Sequence, residues 1–330
     1  MTTVVRFHEL GGPDVLRLEN LDVPPPGASE VKIRVEAIGL NRAELAFRAG
    51  RYLERPKLPS RLGYEASGTV ISVGDAVHAF TPGQRVGVIP AFSQTDYATY
   101  GEEILVPVHA VVPCPSDVTS VTFAAVWMQY LTAYGGLIEV GSLQPGEHVL
   151  ITAASSSVGI ASIELALAIG ATPIAATRTS AKREALHRAG AAHVIATQEQ
   201  DLVSEVRAIT GGNGARLVFD PVAGPFVETL AKAATPGGMI IIYGGLSAQA
   251  TPFPGGLAMV KGLTMRGYTL FETTRVPARL SKAKDLIVDG VRSGKFVPVI
   301  DRTFHLQDIA DAHRYMEASE HVGKIVVTVP

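Results

Sequence analysis

One cysteine, Cys114, stands in a chain of 330 residues. A lone cysteine forms no internal disulfide and cannot furnish a Cys-rich zinc site. An excess of one charge is also missing. Lys and Arg number 29 and Asp and Glu 31, a formal net charge of −2. With no long basic run, nucleic acid is not an expected partner. No apolar run approaches the roughly 20 residues of a membrane-spanning helix. Met239–Leu246 is far too short, and the run 160–169 is interrupted by Glu164. The opening residues, Met1 to His8, carry no apolar signal core, so a cytoplasmic location is expected. A G-x-S-x-G elbow is absent, which removes a serine-hydrolase reading. H-E-x-x-H spacing is absent too, and with it the usual helical zinc pair. There are no internal repeats and no low-complexity tracts.

What is present is apolar and well punctuated. Hydrophobic residues make up 47% and charged residues 18%, against about 25% charged in an average soluble protein. That composition excludes intrinsic disorder. The length suggests about two domains. The 33 glycines and 21 prolines are dispersed along the chain, as turns between elements rather than as a linker.

The first 110 or so residues read as β-rich. Residues 31–37 alternate apolar and polar, 68–74 and 85–90 are strand-like, and Thr81-Pro-Gly-Gln84 is a turn. Proline presets φ there and glycine accepts positive φ. Short strands with frequent glycine predict a small irregular barrel. From about Ser116 the texture changes. Strands are expected at 148–153, 171–177, 193–196, 216–220 and 239–243. Helices are expected at 158–169, 181–189, 201–209 and 225–233. Apolar strands alternating with helices predict a doubly wound parallel sheet. The tail is read as a helix near 276–293, a strand at 296–300, a helix at 309–318 and a strand at 324–329.

The first strand-to-helix turn reads Ala154-Ser155-Ser156-Ser157-Val158-Gly159. A dinucleotide turn reads G-x-G-x-x-G, and only the last glycine stands here. The context still predicts nucleotide binding, with a strand before the turn, a helix after it and further βα units beyond. Ala154 and Ser156 are small, and a helix N-terminus offers free N–H groups to a pyrophosphate. The three serine hydroxyls add donors. NAD sites place an acid at the tip of the next strand for the ribose 2′-hydroxyl. Here that tip carries Arg178, followed by Lys182 and Arg183, and no acid. A guanidinium suits a 2′-phosphate in charge and in shape, so NADPH is the expected cofactor.

These features coincide with motifs along nearly the whole chain. They include Gly39-Leu-Asn-Arg-Ala-Glu44, Gly50-Arg-Tyr52, Leu62-Gly-Tyr-Glu-Ala-Ser-Gly68, Gly83-Gln-Arg-Val86, Tyr130-Leu-Thr-Ala-Tyr134, Phe219-Asp-Pro-Val222 and Gly323-Lys-Ile-Val-Val. The chain thereby resembles the medium-chain dehydrogenases/reductases, in their zinc-free quinone oxidoreductase branch. The resemblance implies an α/β protein. A GroES-like β-barrel catalytic domain (1–121 and 271–330) would flank a Rossmann NADPH-binding domain (122–270). At the positions where zinc-dependent relatives hold their metal stand Asn41, Tyr64 and Gln129, none of them a good zinc ligand.

The implied chemistry is metal-free hydride transfer from NADPH to a quinone or an activated C=C bond, with the cofactor supplying the hydride. Tyr64 is the expected donor to the developing enolate oxygen. Tyr52 is placed in a loop over the substrate, and Asn41 at the nicotinamide ribose or the substrate. Gln129 and Thr132 would line the nicotinamide, and Gly244 and Gly245 would let it approach backbone. Glu65 is expected to pair with Arg61 or another barrel residue, and Trp127 and Met128 to be core. Serines where the branch has glycines, at 156 and 157, put bulk into the turn. The competing readings are a zinc-type alcohol dehydrogenase and a non-catalytic NADPH-binding protein. The expected partner is a small-molecule hydride acceptor. A homodimer is expected through the apolar edge strand near 262–268.

Overall fold

The computed structural model describes all 330 residues, which cluster into two compact units: Met1–Met128 with Pro298–Pro330, and Gln129–Val297. The expected boundaries fell at 121/122 and 270/271. Phe296 stacks on Tyr130 with ring centroids 5.0 Å apart, and its ring fills the space beside Gly290, where a Cβ would lie 2.1 Å away. The helix Pro277–Arg292 is thus tied to the second unit.

The first unit is built on a seven-stranded sheet. Its long strand Glu30–Gly39 pairs antiparallel with Glu65–Val73, with Glu103–Pro107 and with the C-terminal strand Lys324–Thr328. Alternation along 31–37 sends Val31, Ile33, Val35 and Ala37 into the core, each no more than 1% exposed. The strand expected at 296–300 lies further on, at Ile300–His305. Val297 and Val299 there are exposed apolar residues, so apolar character misplaced the element.

The second unit holds a six-stranded parallel sheet. Its order in space is His193–Ala196, Thr172–Thr177, His148–Ile151, Ala215–Asp220, Ala234–Ile242 and Thr264–Gly267. In chain order this is 3-2-1-4-5-6, the arrangement of dinucleotide-binding sheets. The apolar strands have helices against them. Leu150, Ile174, Val218 and Ile240 share one buried cluster with Leu202, Val206, Val227 and Leu230. The order in which strands are added reverses between His148–Ile151 and Ala215–Asp220. The carboxyl ends of strands at such a switch point are where ligands of doubly wound sheets bind.

The helices Trp127–Tyr134 and Arg42–Arg48 and the six-residue π-helical segment Gly135–Val140 lie outside the elements expected from the sequence. The π segment admits the Phe219 ring, which lies 2.3 Å from a Cβ placed on Gly136.

Candidate functional site

The turn after His148–Ile151 opens with Ala153 at φ +46°, a left-handed conformation that is uncommon for a residue with a Cβ. Ser156 caps the helix Ser157–Ile169, its Oγ accepting from Gly159 N at 3.1 Å. The first-turn N–H groups of Ser157 and Val158 have no acceptor within the helix. A Cβ on Gly159 would lie 2.4 Å from the Ala154 carbonyl oxygen. Glycine is needed there so that the helix can sit close to the strand. Ala154 is fully buried, while Ser155, Ser156, Ser157 and Val158 are half-buried. The serine side chains do not prevent the turn from forming.

Across the switch point, Asp220 ends its strand fully buried. Its carboxylate accepts from Thr152 Oγ1, from Val222 N at 3.2 Å and from Ala223 N at 2.7 Å. Burial raises its pKa, and these hydrogen bonds oppose the rise. Ala223 is held at φ 60°, ψ −150°, a region that normally belongs to glycine. Asp220 therefore ties the first turn to the loop of the neighbouring strand. Two strained alanines flank it at the carboxyl ends of the sheet. Sequence reading missed Asp220 and Thr152 as a pair; an acid closing an apolar strand before proline was the available signal.

At the tip of Thr172–Thr177, Arg178 is exposed and has no carboxylate within ion-pairing distance. Arg183 is turned inward instead, donating to Val194 O at 3.0 Å and Gln200 Oε1 at 3.1 Å. Lys182 is half-buried in the turn between them. The nearby Glu199 carboxylate accepts from Ser180 N at 2.8 Å and Ser180 Oγ at 3.1 Å. Gly244 and Gly245 follow Ala234–Ile242 and are exposed. A Cβ on Gly244 would come 2.9 Å from Pro221 O, whereas Gly245 has open space. Gln129 and Thr132 lie on the helix Trp127–Tyr134, 1% and 6% exposed. A free helix N-terminus, a close-packed Gly159 and an unpaired guanidinium at the strand tip fit a dinucleotide with a 2′-phosphate.

In the first unit, Asn41, Glu44, Glu65 and Lys324 form a buried polar cluster; Glu44 and Glu65 are 0% and Lys324 1% exposed. Lys324 Nζ donates to Asn41 Oδ1 at 2.6 Å and to Glu65 Oε1. Asn41 Nδ2 donates to Glu65 Oε1 at 3.0 Å, Glu44 Oε1 at 3.2 Å and Gly39 O at 3.3 Å. Glu65 Oε2 accepts from Met128 N at 2.9 Å. Glu65 thus pairs with Lys324, not with Arg61, whose Nε and Nη2 are buried without partners. Two carboxylates face one ammonium, and Glu44 Oε2 has no partner. Burial pushes the Glu44 pKa up to about 8 against the pull of Lys324, so Glu44 carries the proton.

Tyr64 is fully buried, its ring 6.2 Å from Tyr52 and 5.9 Å from Phe92. Burial raises the Tyr64 pKa far above its ordinary value, and pushes half-buried Tyr52 up to about 12. Both phenols remain protonated donors at neutral pH. Trp127 and Met128 are core, as expected.

The family's zinc does not fit these residues. Asn41, Tyr64 and Gln129, which the resemblance puts at the metal positions, are poor zinc ligands, and no three His, Cys, Asp or Glu side chains gather to hold a metal ion. Residues 27–103 match the family model described as an alcohol dehydrogenase GroES-like domain, and residues 157–288 the one described as zinc-binding dehydrogenase. A 2-haloacrylate reductase of a Burkholderia species is 30% identical over 341 residues, covering 99% of each chain. A phenolphthiocerol/phthiocerol polyketide synthase chain of Mycobacterium tuberculosis is 32% identical over 327 residues. That match covers 99% of this chain but spans only 15% of the length of the synthase. The crystal structure of Escherichia coli quinone oxidoreductase complexed with NADPH matches with a TM-score of 0.91 at 27% identity, covering 99% of each chain.

The fold is that of an α/β oxidoreductase with a GroES-like N-terminal domain and a Rossmann sheet. The chain belongs to the medium-chain dehydrogenase/reductase superfamily, in its quinone oxidoreductase branch.

Proposed function

We propose that the chain is an NADPH-dependent reductase that delivers hydride to a quinone or to an activated C=C bond of an enone, enal or substituted acrylate, without a metal. One observation carries the cofactor choice: the exposed, unpaired Arg178 stands where an NAD site would place an acid. The matched relatives, one named for 2-haloacrylate reduction and one for quinone oxidoreduction, support the acceptor class.

NADPH, when bound, supplies the hydride. The unit Gln129–Val297 binds it in this reading. Residues 154–159 receive the pyrophosphate, Arg178 and Lys182 the 2′-phosphate. Arg183 serves by bracing the next strand. Gln129, Thr132, Gly244 and Gly245 border the nicotinamide half. In the other unit, protonated Tyr64 and Tyr52 are the donors for the oxyanion that forms as the acceptor gains hydride. Asn41 is held in position by the Lys324–Glu65–Glu44 cluster.

The test is NADPH oxidation by metal-stripped protein against a panel of quinones, enals, enones and 2-haloacrylates, with primary alcohols and NADP⁺ alongside. Turnover with the conjugated acceptors, unchanged by chelation, is expected. Alcohol oxidation that requires added zinc would contradict the reading.

A further inference from the structure

Tyr243 follows the strand Ala234–Ile242 directly. Its ring stacks on Phe219 from the neighbouring strand, with centroids 4.0 Å apart and planes inclined by 22°. Its backbone N–H donates to Asp220 O at 3.0 Å. The ring is therefore fixed from two sides. The hydroxyl at its end is buried and has no hydrogen-bond partner. Ser156 is the side chain that approaches it as a hydrogen-bond donor, its Oγ also accepting from Gly159 N; no acceptor for the phenol's own proton is in reach. The Asp220 carboxylate is already engaged by Thr152, Val222 and Ala223.

A buried hydroxyl without a partner is costly, and a phenylalanine would fill the same stack without that cost. Two other side chains of this unit, Arg216 and Thr274, also bury a polar atom without a partner. Only Tyr243 immediately follows the carboxyl end of a sheet strand. Its neighbour Ser156 caps the thirteen-residue helix whose free N–H groups face the cofactor turn. Burial, reinforced by the Asp220 charge, holds the phenol well above its ordinary pKa, so it stays a donor throughout the neutral range.

We propose that the Tyr243 hydroxyl is a hydrogen-bond donor held in reserve for the bound dinucleotide, directed at an oxygen of its pyrophosphate–ribose segment. The proposal rests on the cofactor reading above. It assigns to Tyr243 a binding role that neither the turn motif nor the strand-tip arginine contains. The donor is set at the turn, not at the strand tip with Arg178, so it serves NADPH and NADH alike.

The test uses the full chain and the variant Tyr243→Phe. NADPH and NADH are titrated into both proteins by calorimetry, and thermal unfolding is followed without ligand. The affinity of the variant should fall about tenfold for each cofactor, the effect of leaving one ligand acceptor unpaired in a buried site. The unliganded midpoint should stay the same or rise, because an unsatisfied hydroxyl has been removed. Binding within twofold of the parent overturns the proposal, and so does a loss confined to NADPH. A fall in the unliganded midpoint would instead make Tyr243 a purely structural residue. Failure of the parent protein to bind either cofactor would sink the cofactor reading itself, a result separable from the other three.

Discussion

Glu44 shows what a single buried carboxyl does to the pH response of the molecule. Its pKa stands near 4.5 in the unfolded chain and is raised to about 8 in the fold. An acid with a raised folded pKa binds more protons folded than unfolded between those values. Its contribution to stability is therefore complete below 4.5 and is lost as pH rises through 8. Glu164, raised to about 7 by burial, acts with the same sign up to that pH. His313 acts oppositely: burial lowers its pKa from 6.5 to about 3, so stability is lost as pH falls below 6.5. Between pH 7 and 8 Glu44 is the one of the three still exchanging protons on unfolding. Urea denaturation at pH 7 and pH 8 should show the parent losing stability, at up to about 1.4 kcal/mol per pH unit. Glu44→Gln, neutral and of the same shape, should abolish that slope. An equal slope in both proteins would place the proton elsewhere.

The residue scale is also where the sequence was least legible. Asn41 and the Arg178 tip could be singled out because family motifs and a missing acid mark them. Lys324 could not be joined to Glu65 from sequence, since 259 positions separate them and only the return of the C-terminal strand beside Glu30–Gly39 brings them together. The sequence groups Arg183 with Arg178 and Lys182 in one cationic cluster. In the fold the Arg183 guanidinium braces Val194 and Gln200, because the helix start turns it toward the adjacent strand.

At the scale of elements, the βα unit around Gly159 is the part that sequence and structure describe in the same terms. The helix 158–169 was expected from its apolar run and appears as Ser157–Ile169; the strand 193–196 appears with those bounds. The elements of the first unit were harder to place, because short strands share apolar residues with irregular loops. Gly159 is the contact on which the βα unit depends. A methyl there meets the Ala154 carbonyl, which is backbone and cannot rotate away. Gly159→Ala should lift the helix from the strand, destabilise the protein by about 1–3 kcal/mol and weaken NADPH binding with it. Chemical denaturation and cofactor titration on the same sample measure both. A variant with unchanged stability would show that the helix had room to spare.

For the whole molecule, the last strand of the parallel sheet, Thr264–Gly267, pairs on one side only. Beside it in the chain, the helix Gly255–Lys261 exposes Met259 and Val260, 81% and 82% accessible, and Phe253 is 65% accessible. An unpaired edge next to exposed large apolar side chains is a surface that proteins commonly cover. We propose that a second copy of the chain covers it across a two-fold axis. Light scattering should then report twice the 34.8 kDa chain mass. Val260→Glu, which puts a charge on that face, should shift the population to monomer. A parent protein that is monomeric at micromolar concentration would contradict the assignment.

In the proposed function the whole molecule uses NADPH-driven reduction in place of the metal chemistry of its superfamily, with Arg178 choosing the cofactor. The most direct measurement is kcat/KM for NADPH and for NADH with one conjugated acceptor, in the parent and in Arg178→Ala. The parent should prefer NADPH. The variant should lose about tenfold or more with NADPH, as expected for a charge-assisted phosphate contact, and should keep its activity with NADH. Equal use of the two cofactors by the parent, or a loss with NADH as large as that with NADPH, would contradict the account.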